Sequence, residues 1–146
     1  MLGNPVRYDG SDLLIEHPLL KQWRKEKRLI SICPEVAGGM TTPRPPAEII
    51  THKPYQIINN KQQDVTDEFL LGAKKTLALA LDNNCMAAIM TERSPSCGNS
   101  MIYDGSFSGK KIVGMGVTAS LLKENGIQVL NQYQIELLES FLKGLE

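Results

Sequence analysis

Two short apolar runs in this chain each end in a cysteine-bearing loop, and that repeated arrangement limits the fold more than any other feature. "RLISIC", from Arg28 to Cys33, is partly β-branched and stops at Pro34, which cannot donate to a ladder. "CMAAIM", from Cys85 to Met90, reads as a buried strand and delivers "ERSPSCGNS", in which Cys97 is followed by Gly98. Helical patterns fill the intervals. Ser11 or Asp12 suits the cap of a helix over 13–25, bent near Pro18. Thr66 suits the cap of a second helix, with Asp67 and Glu68 in its first turn and Phe69, Ala73, Leu77 and Leu81 at helical spacing. "KKIVGMGVTASLLKENG" predicts a glycine-rich turn into a helix that stops at Gly126, "IQVLN" a strand, and 132–145 an amphipathic C-terminal helix. The glycines and prolines of 36–46 predict an irregular loop, and "YQIIN" a weak strand. Strands alternating with helices predict an α/β fold: one domain over 1–146, a mostly parallel sheet flanked by helices in Rossmann-like layers.

Composition removes several alternatives. The 16 basic and 16 acidic side chains cancel, and no block of like charge offers a footprint for nucleic acid or an anionic membrane. The apolar runs are too short and interrupted for a transmembrane helix, and the N-terminus lacks the pattern of a signal peptide, so the expected compartment is the cytoplasm. Three cysteines, an odd number, argue against a secreted disulfide scaffold and toward metal binding or thiol chemistry.

In an open α/β sheet, loops leaving the carboxyl ends of the strands form the binding crevice. Cys33 and Cys97 each follow a predicted strand directly, so both thiols are expected in one pocket. Cys85 opens an apolar run without a neighbouring acid or glycine turn and reads as a small core residue. Glu35, two residues from Cys33, is a candidate general base. Arg44 and Glu48 can pair to pin an irregular loop. "GMG" can form an anion-binding turn, although Gly114 and Gly116 equally suit tight strand–helix packing. His17 and His52 stand in ordinary polar contexts, and Trp23 reads as the apolar body of the first helix.

The segments "LGNPVRYDG", "CPEVAGGMTTPRPPAEI", "DVTDEFLLGA" and "SPSCGNSMIYDGSFSGKKIVGMGVTASLLKENGIQV" together resemble the 2-thiouracil desulfidase family, iron–sulfur dependent desulfidases first grouped as a domain of unknown function. The match keeps the same order over essentially the whole chain. It implies an enzyme holding a 4Fe-4S cluster through three cysteines, with one iron open to the sulfur of a thiolated nucleobase. Removal of that sulfur from a substrate such as 2-thiouracil gives uracil and sulfide. By this resemblance Cys33 and Cys97 are cluster ligands, Glu35 is the proton-handling acid, and Ser94 and Ser96 supply the hydroxyl beside it. The implied partner is a small molecule, with neither nucleic acid nor membrane, and the implied intact form is a monomer.

Two departures accompany the match. Met1 and Leu2 stand at leucine positions that follow the family's first cysteine, so the chain reads as lacking the first strand and the first cysteine ligand, which would fall just before Met1. Either the start is placed too late or this is a shortened form, whose activity then turns on that third ligand. Thr91 stands where the family pattern has a lysine. The alternative function is a clusterless binding or structural protein that keeps the fold and pocket. A weaker third reading makes Cys33 the nucleophile of a metal-free thiol enzyme, without an obvious histidine base.

Overall fold

The computed structural model describes residues 17–145. Its elements run α1 (Pro18–Lys25), α2 (Pro34–Ala37), β1 (Ala47–His52), β2 (Tyr55–Asn59), α3 (Thr66–Asp82), β3 (Ala87–Met90), β4 (Met101–Tyr103), β5 (Lys111–Val113), α4 (Val117–Glu124), β6 (Gln128–Asn131) and α5 (Ile135–Gly144).

The helices and strands organise around the parallel pair β3–β6, which runs from Ala87 opposite Gln128 to Met90 opposite Asn131. Strand alternation splits its side chains between two cores. Met90 and Val129 face Ala119 and Leu122 of α4, while Leu130 faces Leu20 and Trp23 of α1 and Ile135 and Leu138 of α5. Both faces of this pair are therefore covered by helices, as a parallel ladder requires. A third core joins Ile49 and Ile57 of the β1–β2 hairpin to Phe69 and Ala73 of α3, Ile102 of β4 and Val117 of α4. Phe69 is fully enclosed there, a burial that stabilises by about 1.5–3 kcal/mol.

The expected α/β composition is present, but the sheet differs from the expectation. Among the described residues β1–β2 and β4–β5 are antiparallel hairpins and only β3–β6 is parallel. Residues 28–33 form no strand and pair with no described strand, and Ile30 and Ile32 are exposed. Strand propensity alone does not make a strand, because the backbone also needs a neighbour to pair with. β1, β4 and β5 went unforeseen because three to six residues beside prolines and glycines carry little alternation.

Helix boundaries also moved. His17 is extended (φ −135°, ψ 133°) and caps α1 by accepting the Leu19 N–H at Nδ1, so the helix starts at Pro18 rather than bending through it. Residues 11–16 of the expected helix lie outside the described residues. Thr66 is the first residue of α3, not its cap. Its Oγ1 accepts the Ile57 N–H at 2.9 Å and ties the helix to β2, while Asp64 accepts the Thr66 N–H. Trp23 is buried as expected, whereas Leu81, at the end of α3, is exposed. Among the described residues no helix is long and apolar enough to cross a membrane.

Candidate active site

Cys33 occupies the N-cap position of α2, with extended backbone (φ −104°, ψ 112°), Pro34 at the first helical position and Glu35 in the first turn. The Ala37 N–H returns to the Cys33 carbonyl at 2.9 Å, and Met40 N–H to that of Glu35 at 3.1 Å. This single turn is seated on α3 by glycines. A Cβ on Gly72 would overlap the Pro34 carbonyl, and one on Gly38 would overlap the Glu68 carbonyl. Only hydrogen at both positions lets the two backbones approach so closely.

The Cys97 loop is built differently. Ser94 Oγ accepts the N–H groups of Ser96 and Cys97, each at 3.1 Å, and its carbonyl accepts Gly98 N–H at 2.9 Å. The loop then docks on the start of α4. Gly116, Val117 and Thr118 N–H donate to the carbonyls of Gly98, Pro95 and Ser96, and Ala119 N–H also reaches Ser96. Those are the helix's orphan donors, so the "GMG" turn holds the cysteine loop rather than an anion. Gly116 sits against Ser96 and Cys97 with no room for a Cβ. Ser96 is buried, and its hydroxyl pairs with Thr118 Oγ1 at 2.7 Å.

Glu92, which follows β3 by two residues, closes this loop. Its carboxylate accepts the N–H groups of Asn99, Ser100 and Met101, the Ser100 hydroxyl at 2.7 Å and the Asn131 amide at 2.8 Å. Partial burial pushes the Glu92 carboxyl up, but the hydrogen bonds from Ser100, Met101 and Asn131 outweigh it and hold it at about 2. Asn131 also reaches Asn99, so the ends of β3 and β6 and the cysteine loop share one polar network.

The two cysteine loops meet. Burial, and next the charge of Glu35, push the half-buried Cys97 thiol up to about 12; hydrogen bonds from Ser96 and Ser94 oppose this, and the charge of Cys33 adds to it. The charges of Glu35 and Cys33 thus both reach Cys97. Two soft thiols suit an iron–sulfur cluster, and a bound cation would favour the thiolate form of a thiol held this high. Among the described residues no group of three or more His, Cys, Asp or Glu side chains closes around one metal ion. Cys85 lies before β3, at the end of the strand opposite the loop, and is half-buried outside the three cores.

Several assignments changed in space. Arg44 pairs with Glu35, Nε to Oε1 at 3.2 Å, and not with Glu48. Glu48 instead accepts the Gly105 and Phe107 N–H groups and anchors the β4–β5 turn to β1. His17 is a helix cap, and His52 packs edgewise near Tyr55. Glu92 and Thr118 escaped the sequence reading because their partners are backbone groups and a buried hydroxyl, which leave no motif.

Comparison with known proteins bears on the fold and the family. A solved structure described as a [4Fe-4S]-dependent thiouracil desulfidase, TudS, superposes with a TM-score of 0.93 and 42% identity, over 97% of this chain and 92% of that one. "Uncharacterized protein YbbK" of Bacillus subtilis (strain 168) is 43% identical over 140 residues, 91% of each chain. The family model for 2-thiouracil desulfurase matches residues 1–134, and the chain belongs to the 2-thiouracil desulfurase family.

Proposed function

We propose that this protein, a single domain, removes sulfur from a thiolated nucleobase of the 2-thiouracil type, with water as the co-substrate and uracil and hydrogen sulfide as products. Cys33 and Cys97 supply thiolate ligands to a 4Fe-4S cluster. When bound, the cluster supplies a soft Lewis acid that polarises the C=S bond. The observation that supports the reading is that the charges of Cys33 and Glu35 reach Cys97 from a loop more than sixty residues away in sequence.

The chain's own groups handle the remaining work. Glu35 takes a proton from the attacking water and returns it as sulfur leaves, which suits a carboxylate on a fixed helical turn. Ser94 Oγ accepts two backbone N–H groups and its hydroxyl also acts on Cys97, so it stands at the cysteine, where it can turn to donate to the substrate or to water. Ser96, matched to the same role by resemblance, has its hydroxyl committed to Thr118 and serves by holding the loop.

Anaerobic reconstitution of the protein with iron and sulfide, followed by incubation with 2-thiouracil, tests the proposal. We expect a broad visible absorbance together with equimolar uracil and sulfide, and loss of both in Cys97→Ser. A stable cluster that releases no sulfide from any thiolated nucleobase overturns it. Wild type showing no more visible absorbance than Cys97→Ser favours the clusterless binding protein instead.

A further inference from the structure

Arg44 is among the most enclosed charged side chains of the described residues, with 3% of its side chain exposed against 17% for Glu35. Burying a guanidinium is costly unless its donors are matched, so its partners show what it is there to hold. Nη1 reaches the Thr41 carbonyl at 3.2 Å and Thr42 Oγ1 at 3.1 Å, which fastens the group to its own loop. Nε leaves that loop and donates to Glu35 Oε1 at 3.2 Å, nine residues back. A pin for the irregular loop needs only the first two contacts. The third falls on the carboxylate that faces the cysteines.

We infer that Arg44 is a positioning residue for Glu35: it clamps Oε1 and thereby aims Oε2 at the reacting water. Among the described residues Oε2 accepts no hydrogen bond, so it remains available to take the proton. Glu35 stands on the single turn of α2 with no other hydrogen-bonding side-chain partner among the described residues, so without Arg44 its rotamer loses that anchor. In this role Arg44 works through Glu35 and not by touching the reacting atoms. The catalytic half of this inference rests on the proposed desulfidase function; the contact does not.

A double-mutant cycle on Glu35→Gln and Arg44→Met separates the two halves. In the protein without iron, urea unfolding should show coupling: the midpoint shift caused by Glu35→Gln shrinks or reverses once Arg44 is replaced. In the reconstituted protein, Arg44→Met should keep the visible absorbance and KM while kcat falls about 100-fold, the scale of a misplaced proton-transfer group. The same substitution in the Glu35→Gln background should cost no further activity. Arg44→Lys, which retains the charge and folds more safely, should recover only part of kcat because it cannot hold Oε1 and the loop together. Additive urea shifts overturn the contact. Unchanged kcat in Arg44→Met, a raised KM at constant kcat, or equal losses in both backgrounds overturn the positioning role. If wild type itself releases no sulfide, the functional reading fails, while the urea cycle still decides the contact.

Discussion

Gly72, in the middle of α3, lies against the carbonyl of Pro34 so closely that a Cβ would overlap the oxygen. A glycine at this point costs the helix about 1 kcal/mol relative to alanine. The position retains it because the turn that carries Cys33 and Glu35 rests on that bare backbone. Gly72→Ala therefore sets a propensity gain against an overpacked contact, and overpacking of this kind costs about 1–3 kcal/mol. We expect a net loss in urea unfolding and a displaced turn, with cluster uptake reduced. A more stable Gly72→Ala protein would show that the contact does not matter.

The hydroxyls of Ser94 and Ser96 should separate cleanly. Ser96→Ala leaves buried Thr118 Oγ1 without its partner and should lower stability by about 1–3 kcal/mol. Ser94→Ala, at a half-buried loop position, should cost less stability and lose most sulfide release, because the hydroxyl that acts on Cys97 and shapes its loop is gone. Paired unfolding and activity measurements on the two variants decide between them.

Glu92 should make the fold sensitive to acid. Its folded carboxyl sits at about 2, below the ordinary 4.5, so its contribution is complete above pH 4.5 and is lost as pH falls from there toward 2. The partners that hold it are neutral: backbone N–H groups, the Ser100 hydroxyl and the Asn131 amide. Glu92→Gln should be less stable than wild type at neutral pH, and the gap should close as pH is lowered through that window. A gap that stays constant from pH 7 to pH 2 would mean that the carboxylate charge contributes nothing.

The three cysteines should not be equivalent. Cys85→Ser should retain the cluster and change stability by no more than about 1 kcal/mol, since a half-buried small residue outside the cores is exchanged. Cys33→Ser and Cys97→Ser should each lose the visible absorbance. Iron content per protein, measured on all three variants after the same reconstitution, distinguishes the set.

The local punctuation of the chain determined a good deal. Pro34 after Cys33, Gly98 after Cys97, and the 3.6-residue spacing of Phe69 and Ala73 are signals carried by neighbours in sequence; α3 and the Cys97 loop stand where those signals put them, while the break after Cys33 opens directly into the one-turn α2. Serine, proline and glycine around Cys97 likewise announced a tight turn, and Ser94 folds it. Pairing was decided only in three dimensions. Nothing near Arg44 distinguishes Glu48, four residues ahead, from Glu35, nine behind, because the choice depends on how the intervening loop closes. Residues 28–33 have strand composition yet form no ladder with a described strand, whereas short β4 and β5 do, since a ladder depends on a neighbour and not on propensity. The same holds for Glu92, whose partners include Asn131 from the far end of β6: hydrogen bonds to backbone and burial against distant chain are properties of the folded molecule, and no residue type records them in advance.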